Sequence, residues 1–151
     1  MVDKSYWGTT RKALLVLEFS SLDGIHEYRN AIKAVDLNVN DCVILALVAT
    51  KQERQMLTEF HSVFYASEQE INILGRWKNE EALKVLARHY DMMIVIGDHS
   101  NKILKQIKKV KSRISVGINT EADFLTINLI SEQKSPEHLL NFAKQTLEKT
   151  K

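Results

Sequence analysis

The sequence predicts a three-layer, Rossmann-like α/β protein: a mainly parallel sheet of about six strands with helices on both faces. The runs Ala13 to Phe19, Cys42 to Val48 and Asp91 to Ile96 are almost unbroken in apolar residues. Strands buried on both faces read this way, whereas half-exposed strands alternate. Between the runs, apolar residues recur at three- and four-residue steps, as in amphipathic helices. The clearest unit starts at Asp91, closes on Gly97-Asp98, continues through Ile103, Leu104, Ile107 and Val110 at helical spacing, and ends in Arg113 to Ile118. Strand, helix, strand is a right-handed βαβ crossover.

The chain has 151 residues, 44% hydrophobic and 26% charged, with a net charge of +2. That length suits one domain with its own core, and the charge is too small to mark a nucleic-acid binder. The single cysteine, Cys42, excludes an internal disulfide and opens an apolar run, as a buried small hydrophobe would. No basic segment followed by an apolar core opens the chain, and no run approaches the roughly 20 apolar residues that span a bilayer. The expectation is a cytoplasmic protein without a membrane partner.

Residues 1–12 read as a polar N-terminal arm and 13–151 as the single α/β domain. After the strand Ala13 to Phe19, Ser20 to Gly24 is turn material rich in helix caps. Ile25, Tyr28, Ile32 and Val35 form a helical stripe, and the loop Leu37 to Asp41 leads to the strand Cys42 to Val48. Gln52 to Phe60 suits a short helix packed by Met56, Leu57 and Phe60, Ser62 to Tyr65 a short strand, and Ile71 to Gly75 an edge strand or extended segment. Asn79-Glu80-Glu81 caps a helix with two carboxylates at its positive end, and Leu83, Leu86 and Tyr90 form its stripe.

Beyond Ile118, residues 119–123 are too few for a crossover helix, and Phe124 to Ile130 alternates. An antiparallel edge hairpin is the simplest expectation, with a strand order of 3-2-1-4-5-6. Ser135-Pro136-Glu137 starts the last helix, which packs through Leu139, Leu140, Ala143 and Leu147.

The segments Ser67 to Ile71, Leu74 to Glu81, Tyr90 to Ile94 and Ser115-Val116-Gly117 resemble an uncharacterised family of small Bacteroidetes-type proteins. A weaker similarity runs to the first half of heptosyltransferase-like glycosyltransferases, where an aromatic residue and aspartate open an apolar strand and Val-Gly ends the next. Those enzymes carry a second nucleotide-binding half that has no counterpart here, so the similarity does not imply transferase activity.

Ligands of open parallel sheets bind beyond the carboxyl ends of the strands, where strand order reverses. The candidates there are Ser20, Ser21, Asp98, His99, Ser100 and Asn119, with Asp23, Thr50 and Glu121 nearby. Asp98-His99-Ser100 could hold an anion or an acid–base histidine, although a strand end followed by a helix cap is the commoner origin of such a triplet. Neither turn supplies the several glycines of a phosphate loop. His26, His61, His89 and His138 lack ligand spacing, so neither a metal nor another cofactor is implied. Lys102, Lys105, Lys108, Lys109, Lys111 and Arg113 form a basic run without interleaved aromatics, which reads as a solvated face more readily than as a nucleic-acid site. Trp77, between Arg76 and Lys78, is a candidate partner anchor, with packing over the sheet as its plainer role.

No catalytic constellation emerges. The expected function is a non-catalytic role through protein contacts, with another protein or a second copy of the chain as partner. The alternative is a sensor or enzyme that binds a nucleotide or other anion at the carboxyl edge of the sheet.

Overall fold

The structure, a computed structural model, describes residues 5–37, 41–60 and 62–149. His61, the first four residues of the expected arm, residues 38–40 of the expected loop and the last two residues lie outside the described residues. The elements are β1 (Ala13–Glu18), α1 (Leu22–Ala34), β2 (Cys42–Val48), α2 (Lys51–Gln55), β3 (Val63–Ser67), α3 (Glu80–Ala87), β4 (His89–Ile96), α4 (Asn101–Ile107), β5 (Lys111–Ile118), β6 (Ile127–Leu129) and α5 (Pro136–Glu148). The six strands form one sheet in the order β3-β2-β1-β4-β5-β6, which is the expected order.

Every neighbouring pair of strands is parallel. This corrects the antiparallel expectation for the last strand, which is also shorter than its alternation suggested: β6 pairs Val116 with Ile127 and Ile118 with Leu129. The chain between β5 and β6 returns across one face of the sheet without a helix. Leu125 is buried there, with Ala122 and Phe124 packed beside it. Gly117 admits this crossing, because a Cβ at that position would lie 2.6 Å from Leu125 Cδ1. A parallel connection normally needs about a dozen residues to hold a helix. Here an irregular segment covers the sheet in its place.

Alternate side chains of the central strands feed two cores. Leu15, Leu17, Ile44, Ile94 and Val116 meet α1 and α5 on one face. Leu14, Val16, Leu45, Met93 and Val95 meet α3 and α4 on the other. Trp7 joins the first core, and its indole N–H donates to Val35 O at 3.2 Å, so the described part of the arm is fastened to the domain. The expected caps form at Ser21, Asn79, Ser100 and Ser135, each accepting a hydrogen bond from an amide of the first turn.

Three local expectations change. Tyr90 belongs to β4 rather than to the helix before it, and its hydroxyl reaches back to Val85 O at 2.8 Å. The helix expected over Gln52 to Phe60 is only α2, and Met56 is exposed instead of packed. Ile71 to Gly75 is a turn whose base is a single bridge between Ile71 and Trp77.

Candidate functional site

Strand order reverses between β1 and β4, whose neighbours β2 and β5 lead away in opposite directions. A cleft of about 480 Å³ opens at the carboxyl ends of these two strands. Leu17 and Glu18 of β1 line it with Ser20 just beyond, Ile96 of β4 with Gly97 and Asp98 just beyond, and Asn119 at the end of β5. Tyr28 of α1 and Leu139 of α5 place it on the α1/α5 side of the sheet, and Lys134 completes its rim. Its floor is therefore apolar and its rim polar, as in small-molecule sites.

The local sequence explains the opening. Gly97 has φ of +87°, a conformation that side chains disfavour, and it turns the chain out of β4 so that Asp98 stands exposed at the rim. Asn119 is also left-handed, at φ +57°, where asparagine is tolerated. Its amide donates to Leu129 O at 2.8 Å and its Oδ1 accepts from Ser131 N at 2.9 Å, so it ties the end of β6 to that of β5. Thr120, buried beneath, has its hydroxyl 2.8 Å from Gly97 O and 2.9 Å from Val95 O. These bonds hold the two strand ends at a fixed spacing.

The six candidates at this edge divide evenly. Ser20, Asp98 and Asn119 line the cleft. The other three serve the fold. Ser21 caps α1 through Gly24 N at 3.0 Å, and Ser100 caps α4 through Ile103 N at 3.4 Å. His99 places Nε2 2.8 Å from Ile96 O, and a carbonyl acceptor requires the proton on Nε2. Burial lowers the His99 pKa below 6.5 against opposing influences from the Ile96 bond, Glu18 and Asp98, so the ring is biased to its neutral form.

Glu18, Tyr28, Gly97 and Lys134 are cleft residues that sequence reasoning missed. One signal was available for Glu18, the lone charge in the apolar run of β1. Tyr28 was read as packing. Its phenol titrates above 10.0 because burial, and then Glu27, disfavour the phenolate, so it enters the cleft as a neutral hydroxyl.

A second cleft, of about 460 Å³, shares Asp98 and Asn119 with the first and runs along Thr120, Glu121 and Ala122 to Asn128, Leu129 and Ile130. Asp98 and Asn119 therefore stand where the two meet. The expected anchor Trp77 is not available to a partner: it is 1% exposed, and its indole N–H donates to Ser67 O at 2.9 Å. The lysines of the basic run are all exposed, whereas Arg113 is fastened to the arm by Thr9 Oγ1 at 2.6 Å and lies over the Tyr6 ring. Among the described residues, no group of three or more His, Cys, Asp or Glu side chains is placed to hold a metal ion.

A family model described as a family of unknown function, DUF6913, matches residues 2–149. No curated protein matches the chain.

Proposed function

We infer that this chain, which belongs to the family of unknown function DUF6913, binds a small polar molecule in the cleft at the point where strand order reverses. The observation that carries the reading is a coincidence of place: the cleft lies between the ends of β1 and β4, where open parallel sheets bind their ligands. Glu18 and Asp98 bring two carboxylates to the rim against the single ammonium of Lys134, and Ser20 and Tyr28 add hydroxyls to the lining. That balance disfavours the nucleotide or other anion expected from sequence, whose phosphates would meet like charges. It favours a ligand bearing an amine or several hydroxyls, with a compact apolar part against Leu17, Ile96 and Leu139.

A thermal-shift screen against amines, amino acids, sugars and nucleotides tests this reading. A ligand at a hundred times its Kd stabilises by about 2.7 kcal/mol, a rise in Tm of roughly 5–10 °C for a chain of this size. The double variant Glu18→Gln, Asp98→Asn should fold normally and lose that rise. A parent protein that no compound stabilises, or a double variant that keeps the full shift, would remove the cleft from consideration.

Protein contact is the second reading, and one observation favours it. β6 ends the sheet as a three-residue strand, and Ile130 beside it is 84% exposed. An apolar residue at an unpaired sheet edge is suited to a second copy or another protein. Sedimentation of the parent and of Ile130→Asp would separate a self-associating protein from a monomer.

A further inference from the structure

The loop between β3 and α3 ends in a braced tip. Asn72 N donates to Arg76 O and Gly75 N to Asn72 O, both at 2.9 Å, while Asn72 Oδ1 accepts from the amides of Leu74 and Arg76 at 3.0 Å. Gly75 closes the turn at φ +76°. Below the tip, Trp77 is buried, and the Gln106 side chain of α4 donates to Gly75 O. Turns of this kind usually carry Gly, Pro, Asn or Asp. This one carries Ile73 and Leu74, which are 100% and 88% exposed. Two aliphatic side chains held out in water contribute nothing to the fold, and the turn beneath them is too well bonded to retract them.

Several cations lie near the tip. Lys51, Arg54 and Lys78 share with Ile73 a cleft of about 640 Å³, and its one carboxylate, Glu70, is paired with Arg54. Arg76 is exposed on the turn itself. Lys109 Nζ lies 3.3 Å from Gln106 Oε1, the same side chain that holds Gly75.

We propose that this tip docks the protein on an anionic lipid surface, with Ile73 and Leu74 entering the acyl boundary and Lys51, Arg76, Lys78 and Lys109 meeting the headgroup phosphates. A bilayer supplies apolar depth beneath a sheet of negative charge, which is the complement of an apolar point with cations beside it. Ile73 and Leu74 stand out on the turn itself, and the cleft that Ile73 borders is lined, Ile71 apart, by polar and charged side chains, so it offers a partner's apolar segment little to bury against. Protein-binding hot spots are rich in Trp, Tyr and Arg and poor in Leu, and the tryptophan of this segment is buried. No helix among the described residues is long and apolar enough to cross a membrane, and surface docking requires none.

Co-sedimentation of the full chain with vesicles tests the proposal. The parent should pellet with phosphatidylcholine vesicles that contain phosphatidylglycerol and stay in solution with phosphatidylcholine alone. Ile73→Ser with Leu74→Ser, a pair too exposed to disturb folding, should weaken that binding by on the order of a hundredfold at an unchanged Tm. Lys51→Gln and Lys78→Gln should each weaken it about fivefold, with salt acting in the same direction. A parent that ignores the anionic vesicles overturns the proposal and points to an acidic protein socket instead. Binding that survives loss of both aliphatic side chains overturns it equally.

Discussion

Leu125 Cδ1 occupies the space that a side chain on Gly117 would need, 2.6 Å from where its Cβ would be. Asn128 Oδ1 and Thr120 Cβ are also close to that point, at 3.2 and 3.3 Å. Gly117→Ala must therefore turn the Leu125 side chain aside or shift β5, and overpacking of this kind costs about 1–3 kcal/mol. Urea unfolding should show that loss. Leu125→Ala opens the same space, so the two changes together should cost less than the sum of each alone, and strict additivity would mean that the contact does not hold the crossing in place.

Glu70 is 7% exposed and accepts from Ser67 N and Arg54 Nε, both at 3.0 Å, and from Asn79 Nδ2 at 3.4 Å. Glu70→Ala leaves those donors facing a void. Because Arg54 is partly exposed and can turn to water, the expected loss is about 2–4 kcal/mol, toward the lower end for a broken buried pair. Glu70→Gln should retain more than half of the parent's advantage over alanine, since its amide oxygen still accepts from Ser67. Equal losses for the two variants would argue that packing, and not hydrogen bonding, sets the value of this position.

Asp91 links the start of β4 to the chain entering β1, accepting from Arg11 N at 2.8 Å and Lys12 N at 2.9 Å. Burial raises its pKa, but the two amides together with Arg113 and Arg11 outweigh that and hold it below 3.8. A carboxylate depressed in the fold adds stability above its unfolded pKa and loses it as pH falls from there through the folded value. Asp91→Asn should therefore be less stable than the parent at neutral pH, and the gap should narrow as pH falls through 3.8 and below. Unfolding curves collected across the acid range would show the convergence, and a constant gap would deny the linkage.

His99 acts higher on the pH scale. Its folded pKa lies below 6.5, so the unfolded chain takes up the proton first, and stability falls as pH drops through 6.5 toward the folded value. His99→Gln can still donate to Ile96 O and does not titrate. Its Tm should vary less than the parent's between about pH 7 and 5. Parallel profiles would assign the parent's pH sensitivity in this range to other groups.

Lys102, Lys105 and Lys109 lie on the solvent side of α4 or just beyond its end, and all three are exposed. Replacing them together by Gln should change stability by less than about 0.5 kcal/mol. The parent should not be retained by RNA at physiological salt, because a solvated lysine face without aromatic platforms lacks the stacking that single strands use. Tight, salt-sensitive retention that the triple variant abolishes would make this face a nucleic-acid site.

Much of the architecture was legible because local pattern determines it. Unbroken apolar runs such as Leu14 to Leu17 and Met92 to Ile96 can be satisfied only by burial on both faces. The caps Ser21, Asn79, Ser100 and Ser135 mark helix starts because their side chains answer amides in their own first turn. Crossover chirality and short connections then leave few strand orders, and the one expected among them is the one observed. Tertiary structure alone decided the rest. The parallel direction of β6 comes with an irregular crossing that lays Leu125 on Gly117, a contact between a crossing segment and the strand that precedes it, and alternation in the strand carries no trace of it. Trp77 reads the same beside Arg76 and Lys78 whether its ring faces water or the α3/α4 core, and only the folded chain places Ser67 O where the indole can reach it. The cleft is likewise assembled from far apart: Glu18, Tyr28, Asp98, Asn119 and Lys134 come from separate elements and share no spacing in sequence. Sequence spacing reports a face of one element, whereas a cleft is made where several elements end.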